Sequence, residues 1–103
     1  MNASSLWTRE ELQARVDAYV AMWRADRASH AWVKAKFLAD LLSGPLRART
    51  KGAIGYRLAN ISAVMVDLGH PFLTGYVPAA NVGPTNTKVI RDMLVEAGLG
   101  RAG

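Results

Sequence analysis

The sequence predicts an all-α fold: a trihelical, helix-turn-helix-like core, then an ordered Pro/Gly loop and a fourth C-terminal helix. Three observations lead there. Apolar residues recur at three- and four-residue intervals in four separate stretches. Residues that start and stop helices bracket those stretches. No strand is evident, and the chain of 103 residues leaves room for one domain with a small core.

The first helix is expected over about 9–28. Thr8 is its N-cap and Glu11 stands three residues later, which completes a capping box. Trp7 and Leu12 have the spacing of a hydrophobic staple. Leu12, Val16, Tyr19, Val20 and Trp23 then form one apolar stripe. The second helix, about 31–43, takes its apolar face from Val33, Phe37, Leu38, Leu41 and Leu42. Gly44 is expected in the left-handed C-terminal position, and Pro45 prevents continuation.

The third helix, about 51–68, starts at the N-cap Thr50 and stops at Gly69. Ile54, Leu58, Ile61, Met65 and Leu68 share its inner stripe, and Gly52, Tyr56, Ala59, Asn60, Ala63 and Asp67 lie opposite, with Arg57 on the flank. Residues 70–84 are rich in Pro and Gly but carry Phe72, Leu73, Tyr76 and Val77, so this loop should pack back onto the helices. A fourth helix is expected over about 86–97, with Val89, Ile90, Met93 and Leu94 inward and Gly98 as its stop. The last residues, GRAG, read as a frayed end.

Charge supplies the functional clue. The net charge is +5. Residues 41–66 hold Arg47, Arg49, Lys51 and Arg57 and no acid, so nearly all of the excess falls in this one window. A polyanion is the natural partner for such a window. Arg47, Arg49, Thr50 and Lys51 lie at the turn and at the start of the third helix, where free N–H groups and the positive dipole end also favour phosphate. Tyr56 and Asn60, one turn apart, are the expected outward polar tips; Asn can pair with adenine and Arg with guanine, while Asn60 facing only solvent and Tyr56 packing under the 70–84 loop are the alternatives. Arg57, beside the inner stripe, suits a structural or phosphate role better than base reading.

Other chemistries find no support in the sequence. Cysteine is absent, so disulfides, thiolate metal sites and thiol nucleophiles are excluded. His30 and His70 stand 40 positions apart without clustered carboxylates. No Gly-rich phosphate loop follows a strand. No catalytic residue, metal site or cofactor is therefore expected, and the chain reads as not an enzyme. No apolar stretch is long enough to span a membrane, and no secretory leader is evident, so a cytoplasmic location is expected.

Two resemblances add to this reading. WTREEL at 7–12, followed by RTKGAIGYRLANI at 49–61, resembles the Myb/SANT-type trihelical pattern of bacterial DNA-binding domains. More specifically, RTKGAIGYRLANISAVMVDLGHPFLTGYVPAANVG at 49–83 resembles the N-terminal head domain of McrA-like, modification-dependent HNH restriction endonucleases. The second resemblance implies an accessory domain that binds double-stranded DNA. It does not imply nuclease activity in these residues, because the His-Asn-His motif of that group belongs to a separate domain. The group tends to carry polar residues where this chain has Gly55 and Ala59.

The expectation is a DNA-binding domain whose third helix enters the major groove while the basic turn holds phosphates, associated with a restriction or phage-defence system and with a nuclease subunit or domain as a possible partner. The competing expectation is a protein–protein interaction module: a homodimer, or an inhibitor of a restriction or phage-defence enzyme. The apolar loop 70–84 and outward Tyr56 or Trp32 motivate it.

Overall fold

The structure, a computed structural model, describes residues 8–80 and 83–102. These form four helices: α1 (Arg9–Arg27), α2 (Lys34–Ser43), α3 (Lys51–Asp67) and α4 (Pro84–Glu96). No strand occurs among the described residues, so the fold is all-α with a fourth C-terminal helix. α1 is the central rod. It packs against each of the other three, whereas α2 and α4 do not pack against one another.

Local sequence accounts for the starts of α1 and α3. The Glu11 N–H donates to Thr8 Oγ1 at 3.1 Å, and the Thr8 N–H donates to Glu11 Oε1 at 3.0 Å. That is the capping box in full; Trp7, the staple's other half, lies outside the described residues. At α3, the Ala53 N–H donates to Thr50 Oγ1 at 3.1 Å. The apolar stripes then meet: Leu12, Val16, Tyr19, Val20 and Trp23 of α1 join Ile54, Leu58, Ile61, Met65 and Leu68 in one buried cluster. Each fully buried side chain of this kind stabilises by about 1.5–3 kcal/mol relative to exposure.

The loop after α3 packs onto the helices as expected. Leu73 and Tyr76 are buried, while Phe72 and Val77 face outward. Three α1 and α3 side chains tie the loop down. Trp23 Nε1 donates to the Pro71 carbonyl at 2.9 Å, the Leu73 N–H donates to Tyr19 Oη at 2.9 Å, and Asn60 Nδ2 donates to the Ala79 carbonyl at 2.8 Å. The Ala79 N–H also reaches the Ala59 carbonyl at 3.1 Å. From α2, Lys34 Nζ sits 4.3 Å from the centre of the Tyr76 ring. Residues 71–80 are thus a strap across the side of α3.

Four local expectations are corrected. α2 begins at Lys34, not 31: Val33 is its extended N-cap with no side-chain cap, Val33 is 61% exposed, and Trp32 Nε1 turns to Asp26 Oδ1 instead. Gly44 is not left-handed (φ −130°); a Cβ there would stand 3.1 Å from the Asp40 carbonyl oxygen, so crowding and not φ explains the glycine. α4 starts at Pro84, because proline is welcome in a first turn whose N–H groups have no intrahelical partner. The end at 100–102 is also held: His70 Nε2 lies 2.6 Å from the Gly100 carbonyl oxygen, and the Ala102 N–H donates to the Leu68 carbonyl at 2.7 Å. Gly69 and Gly98 do take positive φ, +88° each, and end their helices as expected.

Tyr19 bolts α1 to both α3 and the strap. Its hydroxyl bonds Ser62 Oγ at 2.8 Å and accepts from the Leu73 N–H, all of it buried. Burial first of all raises its pKa, so it stays a neutral phenol. Tyr19→Phe strands a buried backbone N–H and a buried serine, and is expected to lower stability by about 1–3 kcal/mol in urea unfolding. A loss below about 0.5 kcal/mol would show that the strap is held by apolar contact alone.

Candidate nucleic-acid interface

The basic residues occupy the connection from α2 to α3 and the first turns of α3. That connection is Gly44–Thr50, seven residues, against three or four in a helix-turn-helix unit. Leu46, fully buried, anchors its middle, and its N–H donates to the Leu41 carbonyl at 2.8 Å. With Leu46 inward, Arg47 faces out. It is exposed, and its Nη1 donates to the Gly44 carbonyl at 3.0 Å. Lys51 is exposed at the first position of α3, whose first turn holds no acid.

Arg49 behaves differently. Its Nε donates to Glu11 Oε2 and its Nη2 to Glu11 Oε1, both at 2.7 Å, with the two side chains only 10% and 12% exposed. This bidentate pair joins the turn before α3 to the capping box of α1. The Arg49 bond, with Thr8 assisting, holds the Glu11 carboxyl down at about 2 despite partial burial; the same bond raises the Arg49 pKa. Arg49, one of the residues expected to hold phosphate at the turn, is therefore already occupied by a carboxylate.

Asn60 is the clearest correction. It was expected at an outward tip, yet it is fully buried. Its amide holds the strap, and its Oδ1 accepts from Arg57 Nη1 at 3.3 Å. The strap covers a side of α3 that helical periodicity alone leaves open. Arg57 is half-buried on that flank. Tyr56, by contrast, is 48% exposed. The outer surface of α3 is thus divided. The strap covers it at Ala59 and Asn60, while Thr50, Lys51, Gly52 and Tyr56 before the strap, and Val66 and Asp67 after it, are exposed.

Two functional candidates escaped the sequence reading, Glu11 and Arg15. Arg15 is fully buried, and it lies in an electrostatic cluster with Arg57, Glu11 and Arg49. Burial above all, then Arg57, lowers its pKa to about 9, while Glu11 opposes the shift. A signal was available: Arg15 falls three residues after Leu12 and four before Tyr19, inside the apolar stripe. Elsewhere, an open groove of about 420 Å³ lies between α1 and Pro45, but it is lined by both signs of charge. No group of His, Asp or Glu able to hold a metal occurs among the described residues. No helix among them is long and apolar enough to cross a membrane.

No family model, curated protein or solved structure matches the chain.

The Glu11 pKa fixes a pH window. It is lower in the folded state than its ordinary 4.5, so its contribution to stability is complete above about pH 5 and is lost as pH falls towards about 2. Urea titrations across this range are expected to show that loss in the native chain and to show it reduced in Glu11→Gln. An identical acid profile in both would place the acid sensitivity elsewhere.

Proposed function

We propose that the chain binds duplex DNA end-on, through the N-terminal turns of α3 and the basic turn before it. Arg47 and Lys51, exposed and without an ion-pair partner among the described residues, contact backbone phosphates. The start of α3 adds its positive dipole end to them. Tyr56, 48% exposed, is the large side chain on the open part of the helix. Asn60 and the strapped stretch take no part in base reading.

The observation that carries this reading is the pair Gly52 and Gly55. A Cβ at either would meet nothing within 4 Å, and neither has positive φ. Nothing inside the molecule requires glycine at these positions, and each costs helix stability of about 1 kcal/mol against Ala. Close approach of an external surface is a physical reason to keep them, and the adjacent cations make that surface a polyanion. An accessory role beside a nuclease of a restriction or phage-defence system follows from the resemblance of residues 49–83 and belongs to the same proposal.

A second reading, contact with another protein, is favoured by one observation. Val33 and Val77, 61% and 73% exposed, flank the Lys34–Tyr76 contact. Light scattering at rising concentration, with and without DNA, separates the two readings.

The glycines give the sharper test. Gly52→Ala and Gly55→Ala are each expected to stabilise the fold by about 0.5–1 kcal/mol and to weaken duplex binding. With two phosphate contacts, the log–log dependence of affinity on salt should have a slope of about −1.8 between 50 and 200 mM. Undiminished affinity in both alanine variants would remove close approach as their explanation. Absent or salt-independent binding of the native chain would remove DNA as the ligand.

A further inference from the structure

We infer that Glu11 is a positioning residue that keeps Arg49 off the nucleic acid, its carboxylate filling the place on the guanidinium that a backbone phosphate would take. The inference rests on the DNA-binding reading above and adds a specific restraint to it. Along the turn, Arg47 and Lys51 are exposed, but Arg49 between them is 10% exposed and bonded through two nitrogens to one carboxylate. A guanidinium offers that same two-pronged edge to carboxylate and phosphate alike. Glu11 holds the Nε–Nη2 edge, and on that edge the two anions compete and cannot both bind.

Glu11 wins this competition because it is tethered and already oriented. Its Oε1 also accepts the Thr8 N–H at 3.0 Å, so the capping box of α1 aims the carboxylate at Arg49. A phosphate arriving from solution faces a competitor at high effective concentration. Mild acid does not release Arg49 either, since the Glu11 carboxyl is held down at about 2. The surrounding charge favours an anion here: Arg15 and Arg57 lie in the same electrostatic cluster as Arg49, and Glu11 is the carboxylate among them. Removal of the Glu11 charge leaves three guanidinium groups whose field a phosphate would offset.

The test is a four-member cycle read as the salt dependence of duplex binding: native, Glu11→Gln, Arg49→Gln and the double variant. Gln at position 11 can still accept the capping hydrogen bond, so the start of α1 is kept. Glu11→Gln is expected to steepen the log–log slope by about 0.9, one added phosphate contact, and only when Arg49 is present. Arg49→Gln alone should leave the native slope unchanged, and the double variant should match the native chain. A merely structural role for Glu11 moves the melting temperature but not the slope. A uniform charge effect steepens the slope equally with Arg or Gln at 49.

The inference is overturned if Glu11→Gln leaves the slope unchanged, if the change ignores residue 49, or if Arg49→Gln alone flattens it. Each half of the cycle decides by itself should one single variant fail to fold. Without Glu11→Gln, a flatter slope in Arg49→Gln refutes and an unchanged one supports. Without Arg49→Gln, a steeper slope in Glu11→Gln than in the double variant supports and equal slopes refute. If none of the four binds duplex at any salt, the DNA reading fails together with the inference. If the native chain binds and the cycle is flat, the inference alone fails.

Discussion

The ion pair between Glu11 and Arg49 sets how the N-terminal ends of α1 and α3 meet. Thirty-eight residues separate the partners, so the contact is tertiary and its effect is global. Both side chains are almost wholly covered, which makes the pair sensitive to loss of either member: an uncompensated, covered charge costs more than the pair gains. Its consequence for charge is equally large. A window that carries four cations in the chain, in the turn and the first turns of α3, presents Arg47 and Lys51 to solvent, with Arg57 half-buried and Arg49 neutralised. The effective surface charge is set by folding as much as by composition.

The strap imposes the second constraint. A helix that reads bases along its length needs one open face, and α3 lacks that. Asn60 and the Ala59 carbonyl bind the Ala79 backbone, and Tyr19 and Trp23 hold the strap's other end. Two buried polar groups, Asn60 and the Tyr19 hydroxyl, are thereby satisfied by backbone, as buried polar groups must be. The strap covers the middle of the third helix, around Ala59 and Asn60, between the open turns at Lys51, Gly52 and Tyr56 and the exposed Val66 and Asp67.

How much was legible in the sequence follows from the range of the interactions involved. Capping by Thr8 and Thr50, the glycine stops at 69 and 98, and the inner stripes of α1 and α3 are decided within a few residues, and each was readable. The late start of α2 and the early start of α4 were misplaced by two or three residues, because extended Val33 and first-turn Pro84 weigh against simple periodicity. At the candidate site, the exposed positions of Arg47 and Lys51 were legible. The roles of Arg49 and Asn60 were not, since their partners lie 38 and 19 residues away. Arg15 was a missed signal: a charged residue inside an apolar stripe announces a buried cluster.

These constraints bear on why the open N-terminal turns of α3 carry two glycines. A helix end that offers cations and a dipole but keeps bulky neighbours would hold a phosphate at arm's length. Gly52 and Gly55 remove the side chains that would keep it there, at a cost in helix stability that nothing inside the fold requires. The covered, paired side of the same corner works in the opposite direction, since the strap, Asn60 and the Glu11–Arg49 pair stiffen what the glycines loosen. On the DNA-binding proposal, a corner held by these contacts would order little further on contact, so a few exposed charges would be enough to make that contact favourable.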